Sequence, residues 1–474
     1  MGNFPKMSLA CKALPTIFFA GILLLVFQNC SGSFHGVDSV QSNIATSSIE
    51  VPSMRIGLGE PLLADVTNNG WDLNSELAAV IALKPQVFRM WMNASDLLID
   101  PLHINTARAG QYSQAISALQ NSGVTVFGMD SDFPTWMTGV SEWGAIPCRS
   151  SPLYADFLVN YENTKKTLAA AFPLLTAWEP ANETNGDTFL HPPVTGVGSC
   201  SEQTFTLEEK AAITVDLMYR AHRAIKLANP NAIVFMPPVA PVDSSGNVDV
   251  SLQSISAFIS LLYTDIASGA WPSQQPRDYF DGASWHPYIF QDATTSSWIA
   301  TNQAVYQTLV AHGDGAIPII FSEIGNTDSA QDPALLATWM DDTLSLSQQN
   351  LPWLTWIVWF RAFNDPSAQS WGGESQVDFG IMGDGSTGFA WKPSAATFCK
   401  YTGCREILVP IGNFKINENG VDGVFYSNGN AYCSYSSPQN FTALTSLAFY
   451  PTLAVMPEVE SNEVLANVYS GACE

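Results

Sequence analysis

Along this chain, short runs of β-branched and aromatic residues alternate with longer stretches whose apolar positions recur at helical spacing. Such a pattern builds a parallel sheet with helices outside it. From Val51 onward there are eight strand candidates, at 54–58, 87–91, 124–129, 175–179, 232–236, 282–286, 317–323 and 354–359. Between them the periodicity predicts helices over 111–121, 154–171, 207–227, 252–267, 297–312 and 333–348. The fourth gap shows the logic: Glu208 and Glu209 load the first turn, Arg220, Arg223 and Lys226 the last, as the helix dipole favours, and Asn229-Pro230 ends it. No Gly-rich phosphate loop follows the first strand, so the alternation predicts an α/β fold, a (β/α)8 TIM barrel over 51–404, in preference to an open doubly wound sheet. After that the character changes. The segments 407–410, 423–426 and 431–435 are separated by turn signals such as Asn428-Gly429, which predicts a small C-terminal all-β domain over 405–474.

The N-terminus reads differently. Lys6 and Lys12 border an apolar run at 13–27, and Cys30-Ser31-Gly32-Ser33 follows. This is the layout of an export signal, assigned to 1–29, and the run is short of the ~20 residues that span a bilayer. Residues 30–50 are Ser-rich and form a tether. The chain is therefore expected to be exported, as a secreted protein or as a cell-envelope lipoprotein held to the membrane only through a lipid on Cys30. Its 474 residues are 46% hydrophobic with 14 Trp, enough for one large core. With 43 acidic against 19 basic residues, a net charge of -24, it would repel phosphate backbones, so nucleic acid is not an expected partner.

Of the eight cysteines, Cys148, Cys200, Cys399, Cys404, Cys433 and Cys473 lie in the exported body. Disulfides are the natural inference there, and loop position and proximity favour Cys148 with Cys200, Cys399 with Cys404 and Cys433 with Cys473. No CxxC pair occurs and the six histidines are scattered, so no metal site is expected.

Chemistry in such a barrel sits where the strands end. The fourth strand runs into Trp178-Glu179-Pro180-Ala181-Asn182-Glu183, and the seventh is an apolar run closing on Ser322-Glu323. A carboxylate at such a place is costly unless paired or used. Either one alone reads equally as a salt bridge, but two, at the ends of strands four and seven, point to paired-carboxylate chemistry. Arg89 ends the second strand, His286-Pro287-Tyr288 the sixth, and Trp356 and Trp359 lie on the eighth.

In these residues, together with Gly325, Gly380-Ile381-Met382 and Trp391-Lys392-Pro393, the chain resembles clan A of the glycoside hydrolases over roughly 51–400. It departs from the family's frequent Asn-Glu-Pro, since Thr184 follows Glu183. The resemblance implies hydrolysis of an O-glycosidic bond in a β-linked oligo- or polysaccharide with retention, by a monomer, without metal or organic cofactor. Glu183 would be the acid/base and Glu323 the nucleophile, with carboxyl groups about 5 to 5.5 Å apart. Arg89 and Tyr288 would keep Glu323 ionised, while burial and the charge of Glu323 would raise the pKa of Glu183. Asn182 would meet the sugar's 2-hydroxyl, His286 would orient a polar neighbour, Trp359 would floor the reacting subsite, and Trp136 would offer a second platform. His103, His191, His222 and His312 are assigned to packing or surface roles. Two other classes are weighed: a degenerate barrel that binds carbohydrate without cleaving it, which the presence of both carboxylates disfavours, and an esterase or metal-dependent hydrolase, for which the Gly-x-Ser-x-Gly elbow and His-x-His strand end are missing.

Overall fold

The computed structural model describes residues 54–404, apart from position 141 and segments 195–197, 201–203, 243–248, 250, 289–294, 327–331 and 368–376, together with short strands between 412 and 472. The signal, the tether, Cys30 and the Cys433–Cys473 pairing fall outside the described residues.

Eight parallel strands form one sheet: β1 (Arg55–Glu60), β2 (Val87–Trp91), β3 (Thr125–Met129), β4 (Ala177–Glu179), β5 (Ile233–Val234), β6 (Ala283–Trp285), β7 (Ile319–Ile324) and β8 (Leu354–Phe360). Their order is β5-β4-β3-β2-β1-β8-β7-β6, so chain neighbours are sheet neighbours and the two edges are consecutive in sequence. Along that seam there is no continuous ladder. Isolated parallel bridges join Phe235 to Gly282 and Val239 to Trp285, and the His286 N–H donates to the Val239 carbonyl at 3.0 Å. The result is a TIM-barrel-like curled sheet whose last seam is bridged instead of laddered. Helices cover its outside, among them α1 (Leu62–Asn69) and α2 (Leu73–Ala82), which the periodicity did not single out, α3 (Thr106–Asn121), α4 (Leu153–Ala171) and α5 (Leu207–Ala228), then α6 (Gln253–Ala267), α7 (Thr295–Ala311), α8 (Pro333–Asn350) and α9 (Pro393–Thr402). α5 opens on a capping box, with Thr206 and Glu209 each accepting from the other's backbone N–H. Among the described residues no helix is long and apolar enough to cross a membrane.

Side chains alternate between the two faces of each strand. Val87, Phe127, Ala177, Phe235, Ile320 and Trp356 fill the inside as one apolar layer. Residues of opposite parity, such as Phe88, Trp178 and Ile357, pack between sheet and helices. Two positions further along β2, β4 and β7 stand Arg89, Glu179 and Ser322, and Ser284 holds the same inward parity on β6, so a polar layer caps the apolar one at the C-terminal mouth. The order comes from strand periodicity alone.

The C-terminal region contains β9 (Gly412–Glu418), β10 (Val421–Ser427), β11 (Ala431–Ser434), β12 (Glu458–Val459) and β13 (Val468–Ala472), in one sheet of order β12-β9-β10-β11-β13. This region is β-rich as expected and falls within the compact unit Val51–Glu474. Cys148 pairs with Cys200 and Cys399 with Cys404, with Cα atoms 5.8 and 4.6 Å apart.

Candidate active site

Arg89 organises the mouth of the sheet. Its guanidinium is fully buried at the end of β2 and donates in three directions: Nε to Glu179 Oε2 at 2.6 Å, Nη2 to Asn182 Oδ1 at 2.8 Å, and Nη1 to Glu323 Oε1. A charge buried to this extent persists only if paired. Burial works against the guanidinium's charge, but Glu179 and Glu323 more than offset it and its pKa is raised.

Glu323 sits where the β7–β8 register slips: Ile357 pairs with Phe321, but Trp359 pairs with Ile324. The extra residue on β7 breaks the alternation, so neighbouring Ser322 and Glu323 both reach the same cluster. Tyr288 donates its hydroxyl to Glu323 Oε2 at 2.7 Å. Burial first, then Glu323, holds the Tyr288 phenol well above its ordinary pKa, so it stays a donor. Just beyond, a Cβ on Gly325 would collide with the Phe360 carbonyl oxygen, which is why the chain leaving β7 needs glycine there to pass β8.

Glu183 lies four residues past β4 in a left-handed backbone conformation, φ 43°, which non-glycine residues rarely adopt. The loop around it is clamped. Tyr161 on α4 donates to the Pro180 carbonyl at 2.8 Å, Asn185 exchanges two hydrogen bonds with the Ala240 backbone, and Lys210 in the first turn of α5 donates to the Asn185 carbonyl at 3.0 Å. Glu183 Oε1 is 2.6 Å from His286 Nδ1, and the other ring nitrogen, Nε2, is 2.9 Å from Ser322 Oγ. Burial pushes the Glu183 carboxyl up to about 7, against an opposing pull from Arg89. The expected contribution from Glu323 is not among the causes. His286 is pushed down to about 4, chiefly by burial, so the ring is neutral near pH 7.

Donor atoms of Glu183, His286 and Glu323 all lie within 4.8 Å of one another, the one such grouping among the described residues. Both nitrogens of His286 are already engaged and Arg89 already faces Glu323, so a cation placed there would have to displace these contacts. What the arrangement offers as it stands is an acid held neutral beside a carboxylate supplied with donors.

Arg89, Asn182, Glu183, His286, Tyr288 and Glu323 thus converge. Of the two tryptophans proposed as platforms, Trp359 does not. Trp359 is 1% exposed and its parity on β8 turns it toward the helices, where it packs edge-on against Trp339 of α8 at 5.2 Å. A floor beneath a sugar does not fit that position. Phe360, next along and of inward parity, joins Tyr288, Phe379 and Trp91 in an aromatic group beside Glu323. Trp136 is half-buried against the main core in the short helix Thr135–Thr138. The sequence assigns no role to Glu179, Ser284 or Ser322, although each is a polar residue within an apolar strand, at inward parity.

Neither a protein-family model nor a curated protein matches the chain. Solved structures do. A GH5_18 protein from Bifidobacterium longum subsp. infantis is 13% identical with TM-score 0.51, covering 89% of this chain and 96% of its own. The virulence factor SghA in complex with its substrate analog salicin is 11% identical with TM-score 0.52, covering 74% and 96%. SghA from Agrobacterium tumefaciens gives 10%, 0.50, and coverage of 74% and 97%. At such identities the likeness establishes the fold alone.

Proposed function

We propose that this chain is a retaining glycoside hydrolase that cleaves O-glycosidic bonds of a β-linked glycan by double displacement. One observation carries the proposal: an oxygen of each carboxyl group lies within 4.8 Å of an oxygen of the other at one mouth of the sheet, in environments that divide their roles. Retaining chemistry requires about 5 to 5.5 Å between them, whereas inverting chemistry needs about 6.5 Å or more to admit water. We read the bridged seam as closure of a (β/α)8 barrel around this mouth.

Glu183, protonated up to about pH 7, gives its proton to the leaving oxygen as that C–O bond breaks. Glu323, its oxygens oriented by Arg89 and Tyr288, attacks the anomeric carbon and forms a glycosyl ester. Glu183, now a carboxylate, then takes a proton from water, which attacks the same carbon and releases Glu323. Asn182 Oδ1 is engaged by Arg89, which leaves its amide N–H to meet a sugar hydroxyl. Export, with Cys30 lipidated or removed by cleavage, belongs to the same proposal, and the mass of the mature N-terminus tests it.

The functional test is product release from xylan, β-1,3- and β-1,4-glucans, mannan, chitosan and peptidoglycan. Glu323→Ala should abolish turnover, and Glu183→Ala should spare only aryl glycosides with good leaving groups. Undiminished hydrolysis by both variants refutes the assignment. Glycan binding without turnover by the unaltered chain favours a carbohydrate-binding barrel instead.

A further inference from the structure

Three fully buried groups in the polar layer take no direct part in the proposed bond making and breaking: Glu179, Ser284 and Ser322. Their hydrogen bonds form an unbroken chain. Glu179 Oε2 accepts from Arg89 at 2.6 Å, and Glu179 Oε1 is 2.5 Å from Ser284 Oγ. Ser284 Oγ is 2.8 Å from Ser322 Oγ, which is 2.9 Å from His286 Nε2. Beyond the ring, Nδ1 is 2.6 Å from Glu183 Oε1 and 3.6 Å from Glu323 Oε2.

A hydroxyl has one proton to donate, and a carboxylate paired with a guanidinium can only accept. Those two rules orient every link. Ser284 must donate to Glu179, so its oxygen accepts from Ser322. The Ser322 proton is then spent, and Ser322 can only accept from His286, which requires a proton on Nε2. A neutral ring so protonated turns the bare lone pair of Nδ1 toward Glu183. A contact of 2.6 Å between that lone pair and a carboxylate oxygen would be repulsive, so the oxygen must carry the hydrogen.

We propose that Glu179, Ser284 and Ser322 are positioning residues that fix the His286 proton on Nε2 and so oblige Glu183 to hold its own proton as the acid. Among the described residues, the charged and titratable groups facing the pair are Arg89 on β2, Glu179 on β4, Glu323 on β7 and Tyr288 after β6. None of them offers Nδ1 or Glu183 Oε1 an alternative proton within hydrogen-bond distance. Without the Ser322 hydroxyl the ring is free to carry its proton on Nδ1 and donate to an ionised Glu183, which favours the charged form. The placement of the proton stands independently, and only its effect on turnover rests on the glycosidase reading.

The test uses the full chain with 15N-labelled histidine. Two-bond 1H–15N correlations distinguish the two ring tautomers, and the loss of one spin system in His286→Asn assigns the signal. The wild type should show Nε2–H at about pH 6, where the ring is neutral and Glu183 holds its proton. Ser322→Ala should move His286 toward Nδ1–H and lower the basic limb of kcat/KM by about one pH unit, so that at pH 8 the variant loses roughly tenfold more of its optimal rate than the wild type loses of its own. Ser322→Thr, which keeps a hydroxyl, should restore both. If Ser322→Ala does not fold, Ser284→Ala breaks the same chain. Nδ1–H in the wild type, or a folded variant with unchanged tautomer and unchanged limb, overturns the proposal. An Nε2–H tautomer in a wild type that hydrolyses no glycoside upholds the relay and overturns the glycosidase reading.

Discussion

Replacing Glu183 by Gln should make the protein more stable, and only at high pH. Glu183 is 5% exposed, and burial raises its carboxyl from 4.5 to about 7. Because its folded pKa is raised, the folded chain binds more protons than the unfolded one between those values, and stability falls as pH climbs through them. Above about pH 7 the fold carries a buried, ionised Glu183. At about 1.4 kcal/mol for each tenfold change in proton affinity, the accumulated loss is about 3 kcal/mol. Gln cannot ionise, so Glu183→Gln lacks this loss, while at pH 5 both proteins present a neutral group and differ little. His286 acts in the opposite sense: its folded pKa is depressed to about 4, so the stability it contributes is present above 6.5 and lost as pH falls through 4. The ring is present in both proteins, so its contribution largely cancels in the difference. Thermal or urea unfolding of both proteins at pH 5 and pH 8.5 measures the effect. A gain of about 3 kcal/mol confined to the higher pH is expected, and a variant equally or less stable there would refute the claim that Glu183 is an acid held neutral by burial.

Trp359→Ala, which empties a packed site against Trp339, should destabilise by about 3–5 kcal/mol and leave KM within about twofold, whereas Phe360→Ala should raise KM; a large KM change from Trp359 alone would restore it as a sugar platform. The Cys148–Cys200 bond spans a sequence separation of 52 and the Cys399–Cys404 bond one of 5, so on loop-closure entropy replacing the first pair by Ser should cost about 4 kcal/mol and the second about 2. Equal losses in unfolding experiments would contradict that ordering. The kcat/KM profile of the wild type should fall above about pH 7, where Glu183 ionises, and a limb above pH 9 would show that another group is the acid.

Much of this was legible because strand ends and helix starts carry strong local signals. Each of the eight strand candidates between 54 and 359 matches an observed strand to within a few residues, the segment 407–410 lies outside the described residues, and α5 begins at the residue its acidic first turn indicates. Boundaries drifted where tertiary packing decides. Candidate 232–236 shortens to Ile233–Val234 because the chain continues into isolated bridges at the seam, and α3 starts at Thr106, five residues early, because Asn105 caps it by accepting from the Arg108 N–H. The carboxylate pair and its Arg, His and Tyr neighbours were visible as polar residues at strand ends. Trp359 was misplaced because parity on β8 can be counted only once the inward face is known: Trp356 and Val358 turn inward, so Phe360 does as well and Trp359 cannot. The relay was missed for the converse reason. A serine within a strand is an ordinary residue until its facing neighbours on other strands are known, and those contacts span 36, 38 and 105 positions of sequence.

The central claim, that Glu323 forms a covalent bond to sugar while Glu183 manages the proton, is tested most directly by mass spectrometry of the chain inactivated with activated 2-deoxy-2-fluoro β-glycosides. One added glycosyl mass is expected, located by peptide sequencing to the ester of Glu323, and absent in Glu323→Ala. Attachment to a different side chain, or turnover giving product of inverted anomeric configuration, would contradict it.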